Sequence, residues 1–172
     1  MTRRPAGVVA GLTRYPVKSL AGEELAVVEV GPRGLAGDRG WAVHTEDGGI
    51  GSGKTTRRFR RVDGLLELRA RLAGAVPVVD FPSGPLTADD AAANQTLSTV
   101  LGRPLELRPE GEVPHHDQSP VHVITSAALR SLGRVLGRIL RALADGRDLT
   151  FGVQASVLRG GTIRRGDSAV LL

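Results

Sequence analysis

The side chains in this sequence best suited to chemistry are cations and hydroxyls placed at turns. YPVKSL at 15–20 sets Lys18 and Ser19 just after a proline-fixed stretch of backbone, a point charge beside a hydroxyl. GLAGDRGW at 34–41 puts Asp38 and Arg39 at the end of a glycine-rich turn entering an apolar segment, with Asp38 available to pair with Arg39. Arg presents a rigid fork of donors, Lys a compact charge and Ser a hydroxyl, a set that suits phosphate or carboxylate. Taken singly, each motif reads equally well as structural or functional. Together they form a candidate anion site.

A louder pattern is G-x-x-x-x-G-K-T at Gly48, Gly53, Lys54 and Thr55, formally a P-loop that would hold nucleotide phosphates with Lys54 and Thr55 and bind Mg²⁺. A P-loop needs a buried strand before it and a helix after it. Here HTEDGG precedes it, and the apolar pattern after RRFRRVDG has a period of two, so a chance match in a chain rich in Gly and Arg is the better reading. PVVD at 77–80 can be dressed as a Walker B strand but adds little. RRFRR at 57–61 is open to three readings: a nucleic-acid patch, a solvated face, or a lid over an anionic ligand. With one Trp, one Tyr and three Phe, there is little material for base stacking, which disfavours nucleic acid as a partner.

Other polar groups offer less. His115 and His116 are adjacent and point apart, and no third ligand at useful spacing joins them and Asp117, so an exposed loop is expected rather than a metal site. His122 alternates with Val121 and Val123, facing solvent or a backbone group. Ser119, His122 and Asp117 make a triad only on paper, since no nucleophile elbow supports them.

The elements that must position these residues are short. Apolar runs are cut repeatedly by 23 Gly and 10 Pro, favouring compact β structure with tight turns over a helical bundle. Leu25, Val27 and Val30, and Trp41 and Val43, read as half-buried strands. Residues 65–72 alternate strictly, with Leu66, Leu68, Ala70 and Leu72 inward. PVVDF at 77–81 and PLELR at 104–108 are further strands. Thr87 and Asp90 resemble a capping box before a helix carrying Ala93, Leu97, Val100 and Leu101 and stopping at Gly102. A longer helix is expected over 126–144, after Thr125 or Ser126, and the chain closes with two strands. A soft boundary at 109–120 divides it into 1–111 and 112–172.

Composition bounds the class. A chain of 172 residues, 41% hydrophobic and 24% charged, can bury a core and fold. The net charge of +5 comes almost wholly from Arg, since the lysines are Lys18 and Lys54. The sequence contains no Cys, which removes disulfides, Cys-based zinc sites, a thiolate nucleophile and a persulfide carrier. No apolar run approaches the roughly 18 residues of a membrane span, and MTRRPAGVVAG lacks the apolar core of a signal peptide. The expectation is a cytoplasmic protein with no membrane partner.

YPVKSL and GLAGDRGW resemble the opening of proteins with a MOSC N-terminal β-barrel followed by a MOSC domain. SGKTTRRFRRVDGLLELRA resembles the segment that follows in many bacterial members, SPVHVITSAALRSL the start of the MOSC domain, and FGVQASVLRGGTIRRGDSAVLL its closing strands. Five motifs in order, spanning nearly the whole chain, make the resemblance specific. It implies a mainly β, barrel-like MOSC-type α+β fold with a few helices. It also implies binding of the molybdenum cofactor (molybdopterin), a phosphorylated pterin holding its metal through a dithiolene. Lys18, Ser19 and Arg39 would then hold the phosphate end, with Thr125 and Ser126 as weaker cofactor contacts. The activities implied are reduction of N-hydroxylated compounds with a redox partner protein, or sulfur carriage; pyridoxal phosphate binding is a further family association.

The chain departs from that pattern in one respect. Family members carry several dozen residues, including an Arg-Pro-Asn-type element and a cysteine that ligates molybdenum or carries sulfur, before the final helix. Here SLGRVLG runs directly into RILRALADGRD, and thiolate is the soft ligand for which no other residue substitutes well.

Overall fold

A computed structural model of the chain describes residues 4–130 and 153–171. Short strands dominate, and among the described residues the one complete α-helix is Ala91–Leu101. The mainly β architecture matches what the chopped apolar runs dictate: Gly and Pro end each extended segment before it can grow.

The sheet that matters for function is built around Trp41–Thr45. Leu105–Pro109 pairs antiparallel with it on one side and Ile50–Ser52 meets it on the other, with Phe59–Arg61 running parallel to Ile50–Ser52 at the far edge. The two-residue strand Val17–Lys18 also joins Trp41–Thr45, in parallel, with Val17 opposite Trp41 and Lys18 opposite Ala42. Alternation of side chains then separates the two faces. Val17, Val43, Leu105 and Leu107 enter the main core, whereas Ala42 belongs to a separate small cluster with Ile50 and Phe59. GWAVH is therefore buried on both faces, with Ala42 and Val43 both fully covered, rather than half-buried.

The main core is closed by the meander Arg69–Ala73, Val76–Phe81 and Gly84–Thr87, and by the helix through Ala93 and Leu97. Each fully buried large apolar side chain here contributes about 1.5–3 kcal/mol. Three local expectations are corrected. The strand expected over 65–72 begins only at Arg69, because Gly64 in the left-handed region (φ 84°) opens a 3₁₀ turn at Leu65–Glu67. That turn buries Leu65 and leaves Leu66 73% exposed. The helix is capped by Asp90, whose carboxylate accepts from the Ala92 amide at 2.8 Å, not by Thr87. In the early strand Val28 is the buried residue and Val27 is exposed.

The end of the chain returns to its beginning. Gly161–Arg164 pairs with Val27–Gly31 and Ser168–Leu171 with Arg4–Val8, while Val153–Ala155 pairs with Val121–Val123. The tail thus supplies three short strands where the sequence suggested two. The long helix expected over 126–144 is seen only as its first turn, residues 126–130, and the remainder lies outside the described residues. Among the described residues no helix is long and apolar enough to cross a membrane.

Candidate functional site

The two anion-suited motifs meet at the edge of the Trp41–Thr45 strand. The Arg39 amide donates to the Tyr15 carbonyl at 2.7 Å and the Trp41 amide to the Pro16 carbonyl at 3.1 Å, zipping 34–41 onto 15–20. Asp38 reinforces the seam. One carboxylate oxygen accepts the Tyr15 amide at 2.7 Å and the other the Arg39 Nε at 2.6 Å, the pairing with Arg39 that the sequence suggested. Within YPVKSL, the Leu20 amide donates to the Val17 carbonyl at 3.3 Å, forming a tight turn whose flanking Val17 and Leu20 are locked in the core. Lys18, on the opposite face from Val17, is thereby aimed at the small cluster.

This geometry strains two residues. Among the described residues, Ser19 (φ 69°) and Arg39 (φ 51°) are the non-glycine positions in the left-handed region. For an L-residue that conformation costs roughly 1–2 kcal/mol, and it persists where surrounding structure imposes it, commonly at binding sites. Both are residues singled out from sequence as phosphate ligands, yet nothing in the sequence announced their backbone state.

Lys18 is 8% exposed and its ammonium sits 4.6 Å from the centre of the Phe59 ring. Lys54 and Arg58 approach the same ring, at 5.5 and 5.2 Å. The ring face is negative, so it tolerates cations, but one ring cannot neutralise three. Asp117 supplies the anion: Lys18 Nζ donates to its Oδ1 at 2.8 Å and Lys54 Nζ to its Oδ2 at 2.9 Å. Burial lowers the pKa of Lys18, and Asp117 opposes that fall. Burial pushes the Asp117 carboxyl up, but the two ammonium groups outweigh it and hold the pKa below its ordinary value. Asp117 is the residue that sequence reasoning missed; it drew notice only beside two histidines and in a triad with Ser119 and His122 that nothing supported.

The segment carrying Asp117 is not the exposed loop expected from sequence. His115 is 3% exposed, and its ring Nδ1 lies 3.1 Å from the Arg39 carbonyl. A carbonyl only accepts, so Nδ1 carries the proton. Burial drives the His115 pKa down to about 4, aided by nearby positive charge on Lys18 and Arg58, so the ring is neutral near pH 7. The Arg39 guanidinium meanwhile donates through Nη2 to the Pro120 carbonyl at 2.5 Å, and Arg58 Nη2 donates to the Pro114 carbonyl. Residues 114–120 are packed across the cations because these carbonyls satisfy arginine donors. Among the described residues, the buried side-chain polar atoms without a protein partner are both ring nitrogens of His44, Arg58 Nε and His116 Nδ1. The His44 ring lies tilted against that of His115, with ring centres 5.6 Å apart, so its nitrogens border the same segment.

The other sequence candidates contribute to this cluster only in part. Thr125 and Ser126 are exposed, and the Thr125 hydroxyl accepts from the Ala128 amide at 3.1 Å, capping the helical turn. No described hydrogen bond joins either to Lys18, Ser19 or Arg39. The P-loop reading fails on topology: the strand Ile50–Ser52 runs inside the motif and another strand, Phe59–Arg61, follows where a helix would be needed. Thr55 instead receives the Arg61 amide at 3.3 Å. In RRFRR, Arg60 pairs with Asp47 and Arg61 with Asp63, while Phe59 is buried. His122 is exposed, and among the described residues no cluster of three metal-suited side chains forms. A surface hollow lined by Asp63, Glu67, Asp80 and Phe81 shares no residue with the cation cluster and offers acceptors where a phosphate needs donors.

Lys18, Lys54 and Arg58 gather at the Phe59 ring with Asp117 held between the two lysines, and Arg39 lies near enough to Lys18 for their charges to interact. The arrangement suits an anion bound by several donors at once. Comparison with family models matches residues 6–112 to the MOSC N-terminal beta barrel domain. A search of curated proteins finds no match.

Proposed function

The chain belongs to the MOSC N-terminal beta barrel domain family, and from that premise we propose that it binds the molybdenum cofactor by the phosphate end of its pterin, through Lys18, Ser19 and Arg39. The observation that carries this reading is the convergence of the two motifs: Lys18 is held on the same sheet edge that fixes Arg39, near enough for the Arg39 charge to disfavour that of Lys18. Cations crowded together against their own repulsion favour a multiply charged anion.

The residues fit the two ends of the cofactor unequally. At the phosphate end, ammonium, guanidinium and hydroxyl donors are present, and Arg58 Nε is a buried donor without a protein partner. At the metal end this sequence offers no thiolate. When bound, the cofactor supplies two-electron redox chemistry at its metal. The chain's own part is to grip phosphate: Lys18 as a desolvated charge above Phe59, Arg39 through the guanidinium donors that Asp38 and the Pro120 carbonyl leave unengaged, and Ser19 as a hydroxyl on a turn fixed at both ends. Thr125 and Ser126, at the start of a helical turn, would add amide and hydroxyl donors.

Reduction of N-hydroxylated compounds with a redox partner, or sulfur carriage, would each require the metal or sulfur to be held without cysteine from this chain. Binding of the phosphorylated pterin is therefore the functional core of the proposal. The test is titration of the purified chain with molybdopterin, followed by pterin absorbance, beside an Arg39→Ala variant. Saturable binding lost in the variant supports the reading; a folded wild-type chain with no affinity overturns it.

A further inference from the structure

Asp117 bridges two lysines from distant parts of the chain, one oxygen to each, at 2.8 and 2.9 Å. Two oxygens of a phosphate present nearly the same spacing and the same acceptor character as the two of a carboxylate. We propose that Asp117 is an internal occupant of the phosphate position, and that a dianionic phosphate monoester binds by exchanging with it, taking Lys54 as a ligand alongside Lys18. This rests on the reading that Lys18 and Arg39 face a phosphate. It adds the role of Lys54 and the competition with Asp117.

Charge balance favours the exchange. Four cations, Lys18, Arg39, Lys54 and Arg58, gather here against two carboxylates, Asp38 and Asp117. The Asp38 side chain is 5% exposed and committed to Arg39 and the Tyr15 amide, so it stays. Replacing the single charge of Asp117 by a phosphate dianion reduces the uncompensated positive charge from two to one. Arg58, whose Nε is buried without a protein partner, approaches the same Phe59 ring as the two lysines, so an unsatisfied donor belongs to the cluster that would meet the phosphate.

The geometry of release supports it too. The side chains of Asp117 and Lys54 retain 31% and 47% exposure, so both open to solvent, while the side chain of Lys18 retains 10%. On either side of Asp117 the backbone is anchored, by His115 against Arg39 and by the Pro120 carbonyl on the Arg39 guanidinium. Rotation of the Asp117 side chain alone would free both lysines and leave the segment seated. Lys54 thereby acquires a role that its glycine-rich motif suggested for the wrong fold.

The experiment is calorimetric titration of the purified chain with inorganic phosphate at pH 8, where it is mainly the dianion, with nitrate as a monoanionic control. Wild type, Asp117→Asn, Asp117→Ala, Lys54→Ala and Arg39→Ala are compared after thermal melts confirm folding. Removing the competing charge should tighten phosphate binding about tenfold in both Asp117 variants, and Lys54→Ala should weaken it about fivefold, as loss of one charge-assisted contact predicts. Nitrate affinity should change far less. If Arg39→Ala abolishes phosphate binding but both Asp117 variants bind no more tightly than wild type, the exchange is wrong and the phosphate reading survives. If neither wild type nor the Asp117 variants bind phosphate, both fall.

Discussion

The Asp38 carboxylate accepts the Tyr15 amide at 2.7 Å, a bond that spans 23 positions and joins the two motifs of the candidate site. The same carboxylate aligns Arg39, so one side chain sets both the distance between the motifs and the direction of the guanidinium. Asp38→Ala should lower stability by about 2 kcal/mol, the range for losing hydrogen bonds to a charged group that leave a donor unsatisfied. Asp38→Asn, which keeps one acceptor, should lose less. Urea unfolding midpoints check the order, and a wild-type midpoint in the Ala variant would remove Asp38 from this role.

Ser19 occupies a backbone state that glycine adopts freely. Ser19→Gly relieves the left-handed strain but loosens the unfolded chain, so stability should stay within about 1 kcal/mol of wild type. Phosphate affinity should nevertheless fall, because the hydroxyl is gone. Equal affinity in the two proteins, measured by titration, would make Ser19 a turn residue only.

His115 predicts a pH dependence with a definite sign. Its folded pKa, about 4, lies below the ordinary histidine value of 6.5, so between those limits the unfolded chain binds a proton that the folded chain refuses. Stability is full above pH 6.5 and is lost progressively as pH falls toward 4. Burial also lowers the pKa of His44 and His116, which adds to the loss in the same direction. His115→Gln should flatten the profile of unfolding free energy between pH 7.5 and 4 without abolishing its slope. An unchanged profile would show that His115 is not the main titrating group.

Gly34 ties the early turn to the segment that crosses the site. A Cβ there would lie 2.7 Å from the Pro120 carbonyl oxygen, the acceptor of the Arg39 guanidinium, and the backbone has φ 95°. Gly34→Ala should therefore cost more than about 1 kcal/mol and displace 114–120. The readouts are the melting temperature and faster hydrogen exchange at the His115 amide. Wild-type values in both would mean that the contact yields without consequence.

The donor types of the site, the β character of the chain and several strand positions were legible in the sequence, because they depend on residue chemistry and on local periodicity. PVVDF and PLELR became strands as the pattern required, and Gly102 ended its helix in the left-handed region. Failures arose where one residue changed the local phase. Gly64 turned Leu65–Glu67 into a 3₁₀ turn and shifted which leucine is buried, a choice between two similar apolar residues that only packing decides.

What the sequence determined by itself is the supply: Lys18, Ser19 and Arg39 at turns, no thiolate, and Lys54 in a glycine-rich loop. Tertiary structure alone decided how these meet. The parallel pairing of Val17–Lys18 with Trp41–Thr45, the left-handed backbone of Ser19 and Arg39, and the reach of Asp117 across 99 positions to Lys18 all depend on contacts between segments distant in the chain. The physical reason is burial. Ionised side chains leave water only where opposite charge and hydrogen bonds already await them. For Lys18 that partner comes from a segment whose own sequence suggested nothing more than an exposed loop.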